Sequence, residues 1–179
     1  MSATKVVTGK VRFSYANVWE PKVPMGGGAP KYSVSILIPK SDKKTVKMVT
    51  DAIEAAKQEG KTKWGGKIPA KMHTPLRDGD EERGDDPVYA GHYFINATSK
   101  TQPGIVDRKV QKIIVQSEFY SGCYGSASIN FYPFDTNGNR GIACGLNNLQ
   151  KLEDGEPLGG ATRAEDDFKP VEADDDDLL

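Results

Sequence analysis

The chain has 179 residues, 24 of them basic and 25 acidic, for a formal net charge of −1, and its two cysteines, Cys123 and Cys144, lack CxxC spacing. That length fits one domain plus a tail, no apolar run approaches the ~18 residues of a membrane helix, and the absence of a hydrophobic leader implies a soluble, reduced, intracellular protein without a disulfide. The near-neutral total conceals a separation of +6 in residues 1–164 from −7 in residues 165–179, which predicts a basic surface suited to a polyanion and an acidic peptide able to compete for it.

Residues 5–15 alternate, with Val7, Val11 and Phe13 on one side and Thr8, Lys10, Arg12 and Ser14 on the other, the period of a half-buried strand with a basic outer face. A connector rich in proline and glycine spans residues 21–30, where Trp19, just ahead of it, reads as a packing residue at the strand end. Residues 31–38 alternate again, with Tyr32, Val34, Ile36 and Ile38 inward. The period then changes: Val46, Val49, Ile53 and Ala56 recur at helical spacing, with Ser41 or Asp42 placed to cap the start and Gly60 to end it. Residues 60–86 read as a loop, basic in its first half and acidic in its second. Strand patterns return at residues 88–98, 105–115, 125–134 and 142–152, and the turn Asp135-Thr136-Asn137-Gly138-Asn139 joins the last two as a hairpin.

Many strands, one main helix and long loops predict a mainly β protein, an OB-fold-like Greek-key β-barrel more than a sandwich. Residues 1–164 form its single domain, and residues 165–179 are expected to be a disordered acidic C-terminal tail.

In the strand at 125–134, Ala127, Ile129 and Phe131 share one face, while Ser126, Ser128, Asn130, Tyr132 and Phe134 share the other. Rings on a polar face beside cations suit stacking on unpaired bases, and the alternative is that Tyr132 and Phe134 pack under a loop. Lys61, Lys63, Lys67 and Lys71 surround Trp64 in a glycine-rich loop, either an arm that tracks a phosphate backbone or a solvated loop whose Trp64 covers the barrel end. Tyr120 and Tyr124 flank Gly122-Cys123 as a third candidate pair. With Lys10 and Arg12, these residues define the predicted groove.

Enzyme signals fail. Gly60-Lys61-Thr62 lacks the earlier glycine of a phosphate loop, since residue 55 is Ala55, and it follows a helix. The acidic run Asp78, Asp80, Glu81, Glu82, Asp85 and Asp86 has Arg83 and Tyr89 where a calcium loop needs glycine and glutamate. Two histidines, His73 and His92, and no GxSxG or HExxH pattern give neither a triad nor a zinc site a basis. No catalytic, metal or cofactor role is assigned. The helix exposes Lys43, Lys44, Lys47, Asp51 and Glu54, a mixed face that does not suit base reading in duplex DNA.

The stretches Thr8-Gly9-Lys10-Val11-Arg12-Phe13-Ser14-Tyr15, Pro30-Lys31-Tyr32-Ser33-Val34-Ser35, Ile38-Pro39-Lys40-Ser41-Asp42, Pro75-Leu76-Arg77-Asp78-Gly79-Asp80, Tyr120-Ser121-Gly122-Cys123-Tyr124 and Gly141-Ile142-Ala143-Cys144-Gly145-Leu146 together resemble a family of tailed-phage and prophage single-stranded DNA-binding proteins with an OB-fold. The likeness covers residues 5–168 and implies an architecture similar to that of the T-odd phage single-stranded DNA-binding protein. It implies binding and protection of single-stranded DNA in phage replication or recombination, in the cytoplasm of the bacterial host cell. The tail residues Asp174, Asp175, Asp176, Asp177, Leu178 and Leu179 would then compete with DNA and recruit replication or recombination proteins, and a second copy of the chain is a further candidate partner. Tails of this kind close on an aromatic residue, whereas here the apolar pair Leu178-Leu179 follows the acids. The rival functions are a metal-dependent nuclease, resting on the acidic run, and a phage assembly protein.

Overall fold

The computed structural model describes residues 3–24, 26–136, 139–158 and 170–171. Its elements are β1 (Lys5–Val7), β2 (Val11–Lys22), β3 (Lys31–Pro39), α1 (Lys43–Gly60), β4 (Arg77–Asp78), α2 (Gly79–Glu82), β5 (His92–Ser99), β6 (Gly104–Val106), a 3-10 turn (Gln116–Glu118), β7 (Tyr124–Thr136) and β8 (Asn139–Glu153). Five strands close a circuit: β2 pairs with β3, β3 with β5, β5 with β8 in parallel through Thr98 and Gly145, β8 with β7, and β7 back to β2. This is the closed Greek-key barrel of an OB-fold. β1 extends the β7 edge, β6 the β8 edge, and β4 adds to β5.

Alternation fills the barrel as expected. Val11 and Phe13, Val34, Ile36 and Ile38, Ile95 and Ala97, and Ala127, Ile129 and Phe131 all point into one buried cluster with Cys144 and Leu146. The seam where β7 leaves β2 for β8 requires Gly125, because a Cβ there would overlap the Gln150 carbonyl oxygen and press within 3.0 Å of the Phe13 ring. Both cysteines are buried free thiols, and burial raises the pKa of each.

Asp42 caps α1 by accepting the Thr45 N–H at 3.1 Å, and Val49, Ala52, Ile53 and Ala56 lay its apolar stripe on the core, mainly against β7. The helix does end at Gly60, but not through a left-handed glycine: the residue after it is helical, and a Cβ at Gly60 would lie 2.7 Å from Pro133 and from the Trp64 ring. Gly60 is there for close approach. Trp64 then folds back over the end of the barrel.

Three expectations are corrected. Residues 5–15 are two strands, and the alternation changes phase at Gly9: Val6 and Thr8 are buried, whereas Val7 is 58% exposed. Residues 105–115 are not one strand. Asp107 accepts the Lys109 and Gln111 N–H groups through Oδ1, turning the chain after β6 so that Lys112 bridges back to Val106. In the acidic loop, Asp78 caps α2, a helix the sequence pattern did not reveal. Thr136 pairs with Asn139, as the expected hairpin requires, while Asn137 and Gly138 lie outside the described residues. The boundary at residue 164 and the tail from Asp174 to Leu179 also lie outside them.

Candidate nucleic-acid interface

β2 enters the barrel beside the start of β7, pairing Arg12 with Tyr124 and leaving both side chains on the outer face. The Arg12 guanidinium lies 5.3 Å from the Tyr124 ring centroid and the Lys10 ammonium 5.4 Å from it, so one ring carries two cations. Arg12 donates from Nε to the Gly122 carbonyl at 3.1 Å and from Nη2 to the Glu156 carbonyl at 2.8 Å, which fixes its plane. Lys10 pairs with Glu153 at 2.6 Å. Beside them, Lys151 lies 5.5 Å over the Tyr120 ring and 2.6 Å from Asp154, whose Oδ1 accepts the Tyr120 hydroxyl at 2.9 Å. Burial, above all, raises the Tyr120 pKa, so the hydroxyl stays a donor.

These carboxylates come from the last residue of β8, Glu153, and the residue after it, Asp154. The Lys10–Glu153 pair is about half exposed on each side, and such pairs contribute only ~0–1 kcal/mol, so a phosphate oxygen can replace the carboxylate at little cost.

At the opposite end of β7, eight residues and roughly 27 Å along the strand at ~3.4 Å per residue, Tyr132 is 42% exposed on the same outward face. Phe134 is partly covered: His73 docks as an extra rung on β8 and stacks on the Phe134 ring at 6.4 Å and 17°. Lys61, Lys63, Lys67 and Lys71 are exposed around this end, with Lys63 3.4 Å from the Pro133 carbonyl. For Trp64 the burial matches the second of its two readings, a ring that covers the barrel end, and not a base platform. The ring is 5% exposed and its Nε1–H donates to the Phe134 carbonyl at 3.0 Å, so it packs the barrel end and offers no face to a base.

The predicted residues therefore fall into two groups. Lys10, Arg12, Tyr120 and Tyr124 are brought together, whereas the lysine arm, Tyr132 and Phe134 gather at the far end of β7.

Sequence reading missed Lys151, Tyr15, Arg77 and Arg83. Arg83 lies within 5.9 Å of the ring centroids of Tyr15, Tyr89 and Phe94, and Arg77 lies 5.6 Å from Phe94, on the outer face of β3 and β5. Both arginines sit in the acidic run, whose sign hid them. The acids themselves are engaged locally: Lys40 is 2.8 Å from both Asp78 and Asp80, Glu82 pairs with Arg77, and Asp86 accepts the Val88 N–H. Among the described residues no group of three or more His, Cys, Asp or Glu side chains is placed to hold a metal. Among the described residues no helix is long and apolar enough to cross a membrane.

A closed OB barrel whose outer face sets cations over aromatic rings defines a protein of the single-stranded nucleic-acid-binding class. The comparisons narrow the class to phage. Residues 4–179 match the model of the family described as the Enterobacter phage Enc34 ssDNA-binding protein, and the chain belongs to that family. It is 32% identical to putative protein p50 of Acyrthosiphon pisum secondary endosymbiont phage 1, over 98% of both chains. It is similar to the bacteriophage Enc34 single-stranded DNA-binding protein solved in complex with ssDNA, with a TM-score of 0.79 and 28% identity over 88% of this chain and 91% of that one. The fold is shared with gp2.5, a single-stranded DNA-binding protein encoded by bacteriophage T7, at a TM-score of 0.62 and 15% identity over 92% and 94% of the two chains.

Proposed function

We propose that this chain binds single-stranded DNA without sequence preference and protects it during phage DNA replication or recombination. The observation that carries the reading is the pair of cations, Lys10 and Arg12, over the Tyr124 ring, with Arg12 oriented by two backbone carbonyls and Lys10 paired to the half-exposed Glu153 carboxylate. Lys10, Arg12 and Lys151 neutralise phosphates, Tyr120 and Tyr124 supply base contact, and Lys61, Lys63, Lys67 and Lys71 with Tyr132 and Phe134 extend the path toward the far end of β7. The family supports binding of single-stranded DNA, and the path itself rests on the placement of these cations and rings.

The acidic tail competes for the same cations when DNA is absent, at an effective concentration of about a millimolar for a short flexible tether. DNA displaces it, and Asp174 to Leu179 then offer charge and two apolar side chains to a replication or recombination protein. Anisotropy of a labelled poly-dT oligonucleotide and of a matched duplex, titrated across a salt series with the full chain and with a chain ending at Ala164, tests both parts. The reading expects single-strand preference, a log–log salt slope of about −0.7 per phosphate neutralised, and tighter binding by the truncated chain. Equal binding of both nucleic acids would refute it, and unchanged affinity on truncation would remove the tail's competing role.

A further inference from the structure

A pocket of about 260 Å³ opens on the outer face of β2 beside the Tyr15 ring. Tyr15 is 58% exposed and has φ 47°, in the left-handed region, inside the irregular stretch of β2 between Ser14 and Asn17. A bulky residue with a Cβ is strained there, and such strain persists where its surroundings hold it, commonly at ligand sites. The surroundings are Arg83, with its guanidinium 5.7 Å from the Tyr15 ring, 5.1 Å from the Tyr89 ring and 5.8 Å from the Phe94 ring. The ring is thus backed by a cation and open on the pocket side.

The pocket walls are chemically mixed. Val88 and the buried Tyr89 ring supply apolar surface, Ser14 and Ser121 supply polar atoms, and Leu158 closes the rim, its N–H donating to the Ser121 carbonyl at 2.9 Å. Asp86 sets a carboxylate on the wall, which repels a phosphate and can accept an amino or imino N–H. The volume lies below the range for drug-sized ligands, which suits one planar ring system.

We propose that this pocket is a subsite for a single unpaired nucleobase, with Tyr15 as its stacking platform and Arg83 positioned for the adjoining phosphate. The inference rests on the single-stranded DNA reading and adds to it a pocket that borders the Tyr124 cluster at Ser121 but shares none of its cations or rings.

The test uses the full chain, a labelled dT oligonucleotide and an abasic oligonucleotide of equal length, with the variants Tyr15→Gly and Tyr15→Phe and a thermal melt of each. Glycine removes the ring and also the left-handed strain. Tyr15→Gly is therefore expected to lose roughly 5- to 150-fold on dT, less than ~2-fold on the abasic strand, and no thermal stability, while Tyr15→Phe, which keeps the ring and loses only the hydroxyl that holds Arg83, retains most of the dT affinity. Unchanged dT affinity in Tyr15→Gly overturns the subsite. An equal loss on both probes with a lowered Tm overturns it too, by making Tyr15 a structural residue. Failure of the wild type to bind dT overturns the single-strand reading itself, and this one with it.

Discussion

The two ends of β7 differ in how their rings are used. At the Tyr124 end, residues from β2, β7, β8 and the segment after β8 meet so that a ring lies under two cations on an open face. At the Tyr132 end, lysines and a tryptophan adjacent in sequence suggest the same device, yet the tryptophan has turned inward against Gly60 and Pro133 and left the lysines outside. In the proposed reading, the ring that serves as a platform is the one whose apolar support the barrel wall already supplies. Where an end of the barrel is open, closing it takes the ring first.

That contrast is broken most directly at Trp64. Trp64→Ala opens the barrel end and is expected to cost about 3–5 kcal/mol, the range for removing a large buried aromatic ring. Urea denaturation measures it. At low denaturant the remaining folded protein should bind dT with nearly wild-type affinity, because the ring offers no face to DNA. A Trp64→Ala protein of normal stability with weakened binding would make Trp64 a platform and erase the distinction.

A smaller effect sharpens the comparison within the interface. Tyr124→Ala removes a stacking ring and the support of two cations, and should weaken dT binding by about 1–3 kcal/mol with little change in salt slope. The pair Lys63→Ala and Lys67→Ala should instead lower the magnitude of the log–log slope by up to ~1.4 and weaken binding mainly at low salt, as expected of phosphate contacts alone. If the lysine pair costs more than Tyr124→Ala at physiological salt, the principal contact lies at the far end of β7.

The same contrast explains what the sequence disclosed. Period-two alternation in residues 31–38 and 125–134 identified the barrel wall, because every second side chain there meets the same core. It failed at Gly9, where two strands pairing with different parts of β7 abut with opposite phase, and at residues 105–115, where one aspartate turns an apolar run into a reversal. Outward placement of Tyr132 followed from local parity. The assembly of Arg12, Tyr124 and Glu156 did not, since Arg12 lies more than 100 residues from the other two and meets them only through barrel closure. Arg83 was concealed by its neighbours' charge, though its pKa is raised chiefly by Tyr15, a residue 68 positions away.

The smallest effect concerns the loop that carries Arg77 and Arg83 past the barrel. Lys40 lowers the pKa of both Asp78 and Asp80, chiefly through its hydrogen bonds to them, and Asp80 also accepts the Gly91 N–H at 3.0 Å. A carboxylate whose folded pKa is depressed below its ordinary value of 3.8 contributes stability above that value and loses it as pH falls through the folded pKa. Lys40 moves the opposite way: its raised pKa gives a contribution complete below its unfolded value and lost only in strong alkali, so it does not titrate near neutrality. The carboxylates should therefore keep the loop fastened above about pH 5 and let it loosen below about pH 4. Hydrogen exchange of the Gly91 amide checks this, because its acceptor is one of the titrating groups. Its protection should fall below pH 4 in the wild type and be low at every pH in Asp80→Ala, which removes the acceptor, and protection that is flat down to pH 2.5 in both proteins would mean that backbone packing of the loop, not the Lys40 network, holds Arg83 over its rings.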